Sequence, residues 1–346
     1  MKERFLPSEW HEQEFVQLTW PHAETDWAPI LPDVICCYRQ MAVEIARREP
    51  LLVVAHDVDS AREVLADVTN VTIVPCPTND TWARDHAFIS CIDKGNRILQ
   101  DFQFNGWGLK FSANLDNQIN NRLFSGHMIE GMYENHLDFV LEGGSIESDG
   151  RGTILTTASC LLAPNRNQPC EKNVIEQKLL DLFNARQVLW LHHGYLAGDD
   201  TDGHIDTLAR LCPSDSILYV SCDDPNDEHY YELQQMEAEL RFFRTLDGRS
   251  YRLLPLPLPK AIYEEDFLPL ADSKEKSMRL PATYANFLII NGAVLYPTYG
   301  QPDLDSLARQ QIQRAFPNYN IIGIDSRILI RQHGSLHCCT MQYPKV

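Results

Sequence analysis

Polar constellations recur along this 346-residue chain at intervals near 60 residues. They centre on Asp85, Glu142, His204 with Asp206, Asn286 and Cys338, so the steps run 57, 62, 82 and 52. Such spacing suggests repeated units, each sending a polar group to a shared centre. The longest step contains Leu254 to Pro259, in which Pro alternates with Leu, and then the acidic and polar run Glu264 to Lys276. That stretch is expected to be a long surface excursion.

Short segments rich in β-branched and aromatic residues read as strands. They are Leu51–Ala55, Val71–Val74, Ile98–Phe104, Gly152–Thr157, Val188–His192, Ile217–Ser221, Phe287–Ile290, Ala293–Pro297 and Ile321–Ile324. Asn291-Gly292 between two of them predicts a type I′ hairpin, and Ser148 to Gly152 plays a similar part before Thr153. Apolar residues at helical spacing predict helices over Pro32–Arg48, Ser60–Ala66, Asp116–Arg122, Glu171–Phe183, Asp227–Phe243 and Asp303–Phe316. The pattern is mixed α/β, with hairpins as well as strand–helix–strand units.

Composition narrows the function classes. With 48 acidic against 30 basic residues the formal net charge is −18, which argues against a nucleic-acid partner and is compatible with a cationic ligand. No stretch approaches the ~18 consecutive apolar residues of a membrane span, so no membrane partner is expected. The first residues lack a long apolar run, so a cytoplasmic protein is expected. The ten Cys include no C-x-x-C pair and read as reduced, mostly buried thiols rather than a disulfide framework or zinc finger.

Four motifs carry chemistry. In Asn79 to Asp85, Trp82 lies three residues before Asp85. A flat indole beside a carboxylate suits a planar cation, because the ring stacks and the carboxylate accepts forked hydrogen bonds. In Leu141-Glu142-Gly143-Gly144, the paired glycines permit close backbone approach or positive φ. The third motif, Gly198 to Asp206, ends in Gly-His-x-Asp, and in an extended backbone His204 and Asp206 share one face. An imidazole there can act as acid and base near neutral pH. His, several Asp and a Cys could instead hold a divalent ion, although the twelve-position spacing of an EF-hand is absent. The fourth is Cys338, flanked by His337 and followed by Cys339. Neighbours in an extended segment face opposite ways, so only one of the two thiols can face a site.

Taken in order, Asn-Asp-x-Trp-x-Arg-Asp, Glu-Gly-Gly, Asp-Asp-Thr-x-Gly-His-x-Asp and Gly-x-x-His-Cys-x-Thr resemble the agmatine deiminases. These belong to the bacterial peptidylarginine deiminase family within the guanidino-modifying pentein superfamily. The resemblance runs from Phe15–His22 to Tyr343-Pro344. It implies a single catalytic domain over residues 1–346, an α/β propeller of five ββαβ-type blades with pseudo-fivefold symmetry around a central site. By the same resemblance, Cys338 is the nucleophile, His204 the general acid/base, and Asp85 and Asp206 the guanidinium-binding carboxylates. Glu142 matches the residue that orients the catalytic His, Trp82 would line the substrate channel, and Asn286 falls at a polar position of the site. Two departures bear on substrate preference. His333-Gly334-Ser335 stands where Gly-Gly-Asn is frequent, and Thr207 where Asn is frequent.

The implied reaction is cysteine-dependent hydrolysis of a small cationic guanidino compound without metal or organic cofactor. For agmatine the product would be N-carbamoylputrescine, on the way to putrescine and the polyamines. Its distal amine needs an acceptor, which Asp200 or Asp202 could supply. Peptidyl arginine, free arginine or a methylated arginine are rival substrates for the same chemistry. A non-catalytic binding protein on the same propeller, or a metal-dependent hydrolase, would be a different class. A homodimer is expected from the family.

Overall fold

The computed structural model describes residues 4–267 and 278–346. In chain order the first unit is β1 (Gln13–Trp20), α1 (Leu31–Ala46), β2 (Leu51–Ala55), α2 (Val58–Val64) and β3 (Val71–Pro75). The second holds the short helix α3 (Ala83–His86), β4 (Ile89–Asp93), β5 (Asn96–Gln103), the turn α4 (Gly106–Leu109), α5 (Ile119–Ser125) and β6 (Met132–Val140). Then come β7 (Ile146–Ser148), β8 (Thr153–Thr157), α6 (Ala158–Leu161), α7 (Lys172–Phe183) and β9 (Gln187–Leu191). The fourth unit is β10 (Ala209–Cys212), β11 (Ser216–Ser221), α8 (Tyr230–Phe242) and β12 (Arg252–Pro257). The fifth is β13 (Leu288–Ile290), β14 (Ala293–Thr298), α9 (Pro302–Ala315) and β15 (Asn320–Asp325), and β16 (Thr340–Pro344) ends the chain.

The strands form five sheets, ordered β16-β1-β2-β3, β4-β5-β6, β7-β8-β9, β10-β11-β12 and β13-β14-β15. Each three-stranded sheet is an antiparallel hairpin followed by a helical crossover to a parallel strand. This is the ββαβ unit, five times over. In the first sheet the opening strand comes from the other end of the chain, since β16 pairs antiparallel with β1. The polar constellations fall just before the first strand of each unit: Asp85 before β4, Glu142 before β7, His204 and Asp206 before β10, Asn286 before β13, Cys338 before β16. The spacing therefore marks blades, and its irregular step is the fourth.

Local sequence explains most elements. In α1 the apolar spacing puts Val34, Cys37, Tyr38, Met41, Ala42 and Ile45 on one buried face. A fully buried aliphatic side chain contributes about 1.5–3 kcal/mol relative to an exposed one. The supposed excursion at Leu254 is instead β12, pairing in parallel register with β11. Prolines survive there because β12 is an edge strand. Pro255 and Pro257 are two apart, so the missing N–H groups would both have pointed the same way, off the sheet. Glu264–Phe267 forms a short 3-10 helix, and the rest of the acidic run up to Lys276 lies mostly outside the described residues. The Asn291-Gly292 hairpin forms with Ile290 opposite Ala293. Its turn is not type I′, because of the two only Gly292 has positive φ, at 73°. The Asn291 side chain is taken up by the Gln13 backbone, donating to its carbonyl at 2.8 Å and accepting from its N–H at 2.9 Å.

Candidate active site

The five loops that precede the first strands converge, and the Cys338 segment is tied to its neighbours by backbone. Arg84 N–H donates to the Cys338 carbonyl at 3.1 Å, which locks α3, and with it Asp85, against the last loop. Asn286 Oδ1 accepts from the N–H groups of His337 (3.1 Å) and Cys338 (3.3 Å), while its Nδ2 donates to Cys338 Sγ at 3.2 Å. Cys338 Sγ lies 3.7 Å from Asp206 Oδ2 and lines a cavity of about 200 Å³. Cys339 points the other way, into the apolar core beside α1. Burial pushes the Cys338 thiol well above its ordinary pKa, with Asp206 and Asp85 adding to the shift.

Asp85 and Asp206 are both buried. Asp85 Oδ2 accepts from Trp107 Nε1 at 2.9 Å and Oδ1 from Gly144 N–H at 3.0 Å. Asp206 Oδ2 faces His337 Nδ1 at 2.7 Å, and its Oδ1 is buried with no partner among the described residues. Burial raises the Asp85 pKa to about 6 although the neighbouring His204 opposes the shift. For Asp206 burial also pushes upward, but the hydrogen bond and charge of His337, with His204 and Arg210, hold it below the usual range. Gly144 explains the paired glycines. A Cβ on it would lie 2.6 Å from His204 Nδ1, 2.9 Å from Asp85 Oδ1 and 3.1 Å from Asp206 Oδ2. Three polar atoms thus crowd one point, and a side chain there would have to displace them. Space, not left-handed backbone, is what glycine supplies at this position.

His204 is fully buried, and neither ring nitrogen has a hydrogen-bond partner among the described residues. Buried polar atoms are rarely left so, and each one calls for an explanation. Burial disfavours the imidazolium, yet Asp85, the Cys160 sulfur and Glu142 outweigh it and hold the pKa well above normal. Nδ1 is 3.6 Å from Asp85 Oδ1. Glu142 does not reach the ring by a hydrogen bond. Its two oxygens accept from Arg166 Nε at 2.9 and 3.2 Å, and it acts on His204 through charge.

Trp82 walls the cavity with its ring against Gly334, where any Cβ would collide with the indole, and with Trp27 tilted beside it at 5.7 Å. Asp26, Asp80, Asp200, Trp107, Phe111 and His333 also line the cavity. Asp200 pairs with His333 Nδ1 at 3.4 Å with 41% of its side chain exposed. Asp202 is turned away, held by Lys110 at 2.7 Å and Arg166 at 2.6 Å. Among the described residues no Lys or Arg lines this cavity.

The model of the Porphyromonas-type peptidyl-arginine deiminase family matches residues 5–344. The chain belongs to that family. Among curated relatives, an agmatine deiminase of Pseudomonas aeruginosa is 33% identical over 98% of this chain and 95% of its own length. A C. jejuni agmatine deiminase solved with substrate bound is 38% identical, with a TM-score of 0.89 over 98% and 96% of the two chains. A Porphyromonas gingivalis structure provisionally named an arginine deiminase reaches 48% identity and a TM-score of 0.90 over 99% of each chain. The five ββαβ blades are those of the pentein propeller expected from the motifs.

Within this deiminase-family site, the structure brings together Cys338, His204, Asp85, Asp206, Glu142, Asn286 and Trp82, and sets Asp200 at the cavity wall. Sequence reasoning missed Trp107, Arg166 and Cys160. Trp107 had a signal, a tryptophan between two glycines in Asn105 to Gly108. Gly106, Trp107, Gly108 and Leu109 all take positive φ. A bulky residue pays for that conformation, and the indole N–H on Asp85 is what holds it. Arg166 and Cys160 lie in no motif of their own.

Proposed function

We propose that the protein is an agmatine deiminase, hydrolysing agmatine to N-carbamoylputrescine and ammonia in the cytoplasm, on the route to putrescine. The observation that carries this is the convergence of Asp85 Oδ1, Asp206 Oδ2 and His204 Nδ1 on one point beside Cys338 Sγ. A guanidinium presents a planar array of donors that two carboxylates can grip together. Held there, its carbon is presented to sulfur, and such positioning is worth roughly 7–11 kcal/mol in favourable cases.

In the free site Cys338 is a neutral thiol, because burial and two carboxylates oppose the thiolate. A bound guanidinium neutralises those carboxylates and reverses the field, so the substrate itself favours the thiolate, whose proton passes to solvent. Attack forms the C–S bond and a tetrahedral adduct. His204, protonated beforehand, donates to the leaving nitrogen as the C–N bond breaks and ammonia departs. The remaining S-alkylthiouronium is hydrolysed by water that neutral His204 deprotonates, releasing the ureido product and restoring the thiol. Glu142, Asn286 and Trp82 support this as the charge beside His204, the anchor of the Cys338 loop and the wall against the guanidinium.

Agmatine is favoured over arginine by the walls. Asp26, Asp80 and Asp200 line the cavity and, among the described residues, no Lys or Arg does, which suits a distal ammonium and repels an α-carboxylate. Asp200 is the proposed acceptor for that amine. The test is a ureido-product assay on agmatine, free arginine and an arginine peptide in parallel. Agmatine is expected to be converted at least about a hundredfold more efficiently, a gap of roughly 2.7 kcal/mol. Comparable conversion of arginine would overturn the substrate, and conversion of none would overturn the activity.

A further inference from the structure

Behind the site lies a charged network that the reaction does not use. Its centre is Glu9, which precedes β1 and belongs to none of the motifs. Glu9 Oε1 lies 2.7 Å from His337 Nε2 and 3.3 Å from Arg84 Nη1. Oε2 accepts from Arg210 Nη2, and from Gln342 Nε2 at 3.3 Å. One carboxylate from the N-terminal segment thus touches the residue before Asp85, strand β10, strand β16 and the residue before Cys338. Its side chain is 17% exposed, whereas His337 and Arg210 are fully buried.

The path to the reacting centre runs through one ring. His337 faces Glu9 with Nε2 and Asp206 Oδ2 with Nδ1, each at 2.7 Å. Holding Oδ2 fixes the oxygen that lies 3.7 Å from Cys338 Sγ, while Oδ1 stays buried with no partner among the described residues. The ring needs its own anchor, because Arg210 Nη2 lies 3.0 Å from the same Nε2, and Arg84 adds a second buried cation nearby. Glu147 engages Arg210 Nε and makes no hydrogen bond to His337 among the described residues, although its carboxylate lies within 4.8 Å of the ring nitrogen. Glu9 is the carboxylate that meets the ring and both arginines.

We propose that Glu9 is a positioning residue for the guanidinium clamp: it anchors His337, whose Nδ1 holds Asp206 Oδ2 in place beside Cys338. The inference rests on the reading of Asp206 as a guanidinium ligand. Glu9 touches no reacting atom, so its influence passes through His337. Neutralising it removes the carboxylate facing Arg84 and leaves Arg210 with Glu147 alone, so the ring loses its anchor and Asp206 its fixed orientation.

The test is agmatine binding by calorimetry in the Cys338→Ser background, with Glu9→Gln, His337→Gln and the two together. Glu9→Gln is expected to weaken binding about tenfold, in the range of one charge-assisted hydrogen bond. The double variant is expected to bind no more weakly than His337→Gln alone, since both changes break one chain. Arg4→Ala, which unties the same N-terminal segment from Glu134, is expected to leave binding within twofold. Should Glu9→Gln not fold, Glu9→Asp, which keeps the charge but falls short of the ring, is expected to show the same loss. Binding within twofold of the parent for a folded Glu9 variant, or losses that multiply in the double variant, would overturn the proposal. No agmatine binding by the Cys338→Ser parent would instead refute the substrate reading.

Discussion

Two neighbouring thiols show how much one residue's direction decides. Cys338 faces the cavity and Cys339 the core. Cys338→Ser is expected to abolish ureido-product formation, whereas Cys339→Ser retains at least about a tenth of the activity, its cost being the burial of a hydroxyl. Gly144 is the sharper case. Gly144→Ala places a methyl among His204, Asp85 and Asp206, so agmatine binding is expected to fall at least about a hundredfold while the urea midpoint of unfolding shifts little. Titration gives a further check. The Asp85 pKa is raised to about 6 in the folded protein. Its neutral form is therefore the one folding favours, and the stability it contributes is present at low pH and lost as pH rises through about 6. A bound cation needs the ionised form. The melting-temperature gain from agmatine in Cys338→Ser should grow between pH 5 and pH 7, and a gain that shrinks over that range would contradict the assignment of Asp85. Motif residues were legible because the chemistry fixes their type. Arg166 and Cys160 were not, because each acts on a motif residue from a stretch with no pattern of its own, and Trp107 carried only its flanking glycines.

At the scale of elements, the readable strands were those rich in β-branched residues, whether buried throughout like β2 and β8 or half-buried like β3 and β15. β1, β4, β6, β10 and β16 escaped, and several of these mix polar residues into buried positions. Gln17 in β1 is fully buried because its side chain accepts from Tyr343 in β16 at 2.8 Å, a partner more than 300 residues away that no local window sees. The prolines of β12 misled in the opposite sense, since only sheet order makes that strand an edge. The two cases predict opposite tolerances. Gln17→Pro falls in a strand paired on both sides and is expected to cost about 3 kcal/mol or more, read from urea unfolding. Replacing Pro255 by Val in the edge strand is expected to change stability by less than about 1 kcal/mol.

The whole molecule is a ring whose last strand, β16, pairs with its first, β1. Closure brings Cys338 to Asp85 from near the other end of the chain, which is why a nucleophile can lie so close to the C-terminus. It also makes the site a product of the assembled ring, since each of the five units supplies part of it. The periodicity of polar groups was readable as repetition, while the pairing that closes the ring was not, because β16 is five residues long and resembles no neighbour. The central claim is that Cys338 attacks the guanidine carbon. The most direct measurement is mass spectrometry of rapidly quenched turnover, digested and mapped by peptide. A peptide containing Cys338 should carry agmatine less ammonia, transiently and only while substrate lasts. An adduct confined to another residue, or steady turnover with Cys338 never modified and Cys338→Ser still active, would contradict it.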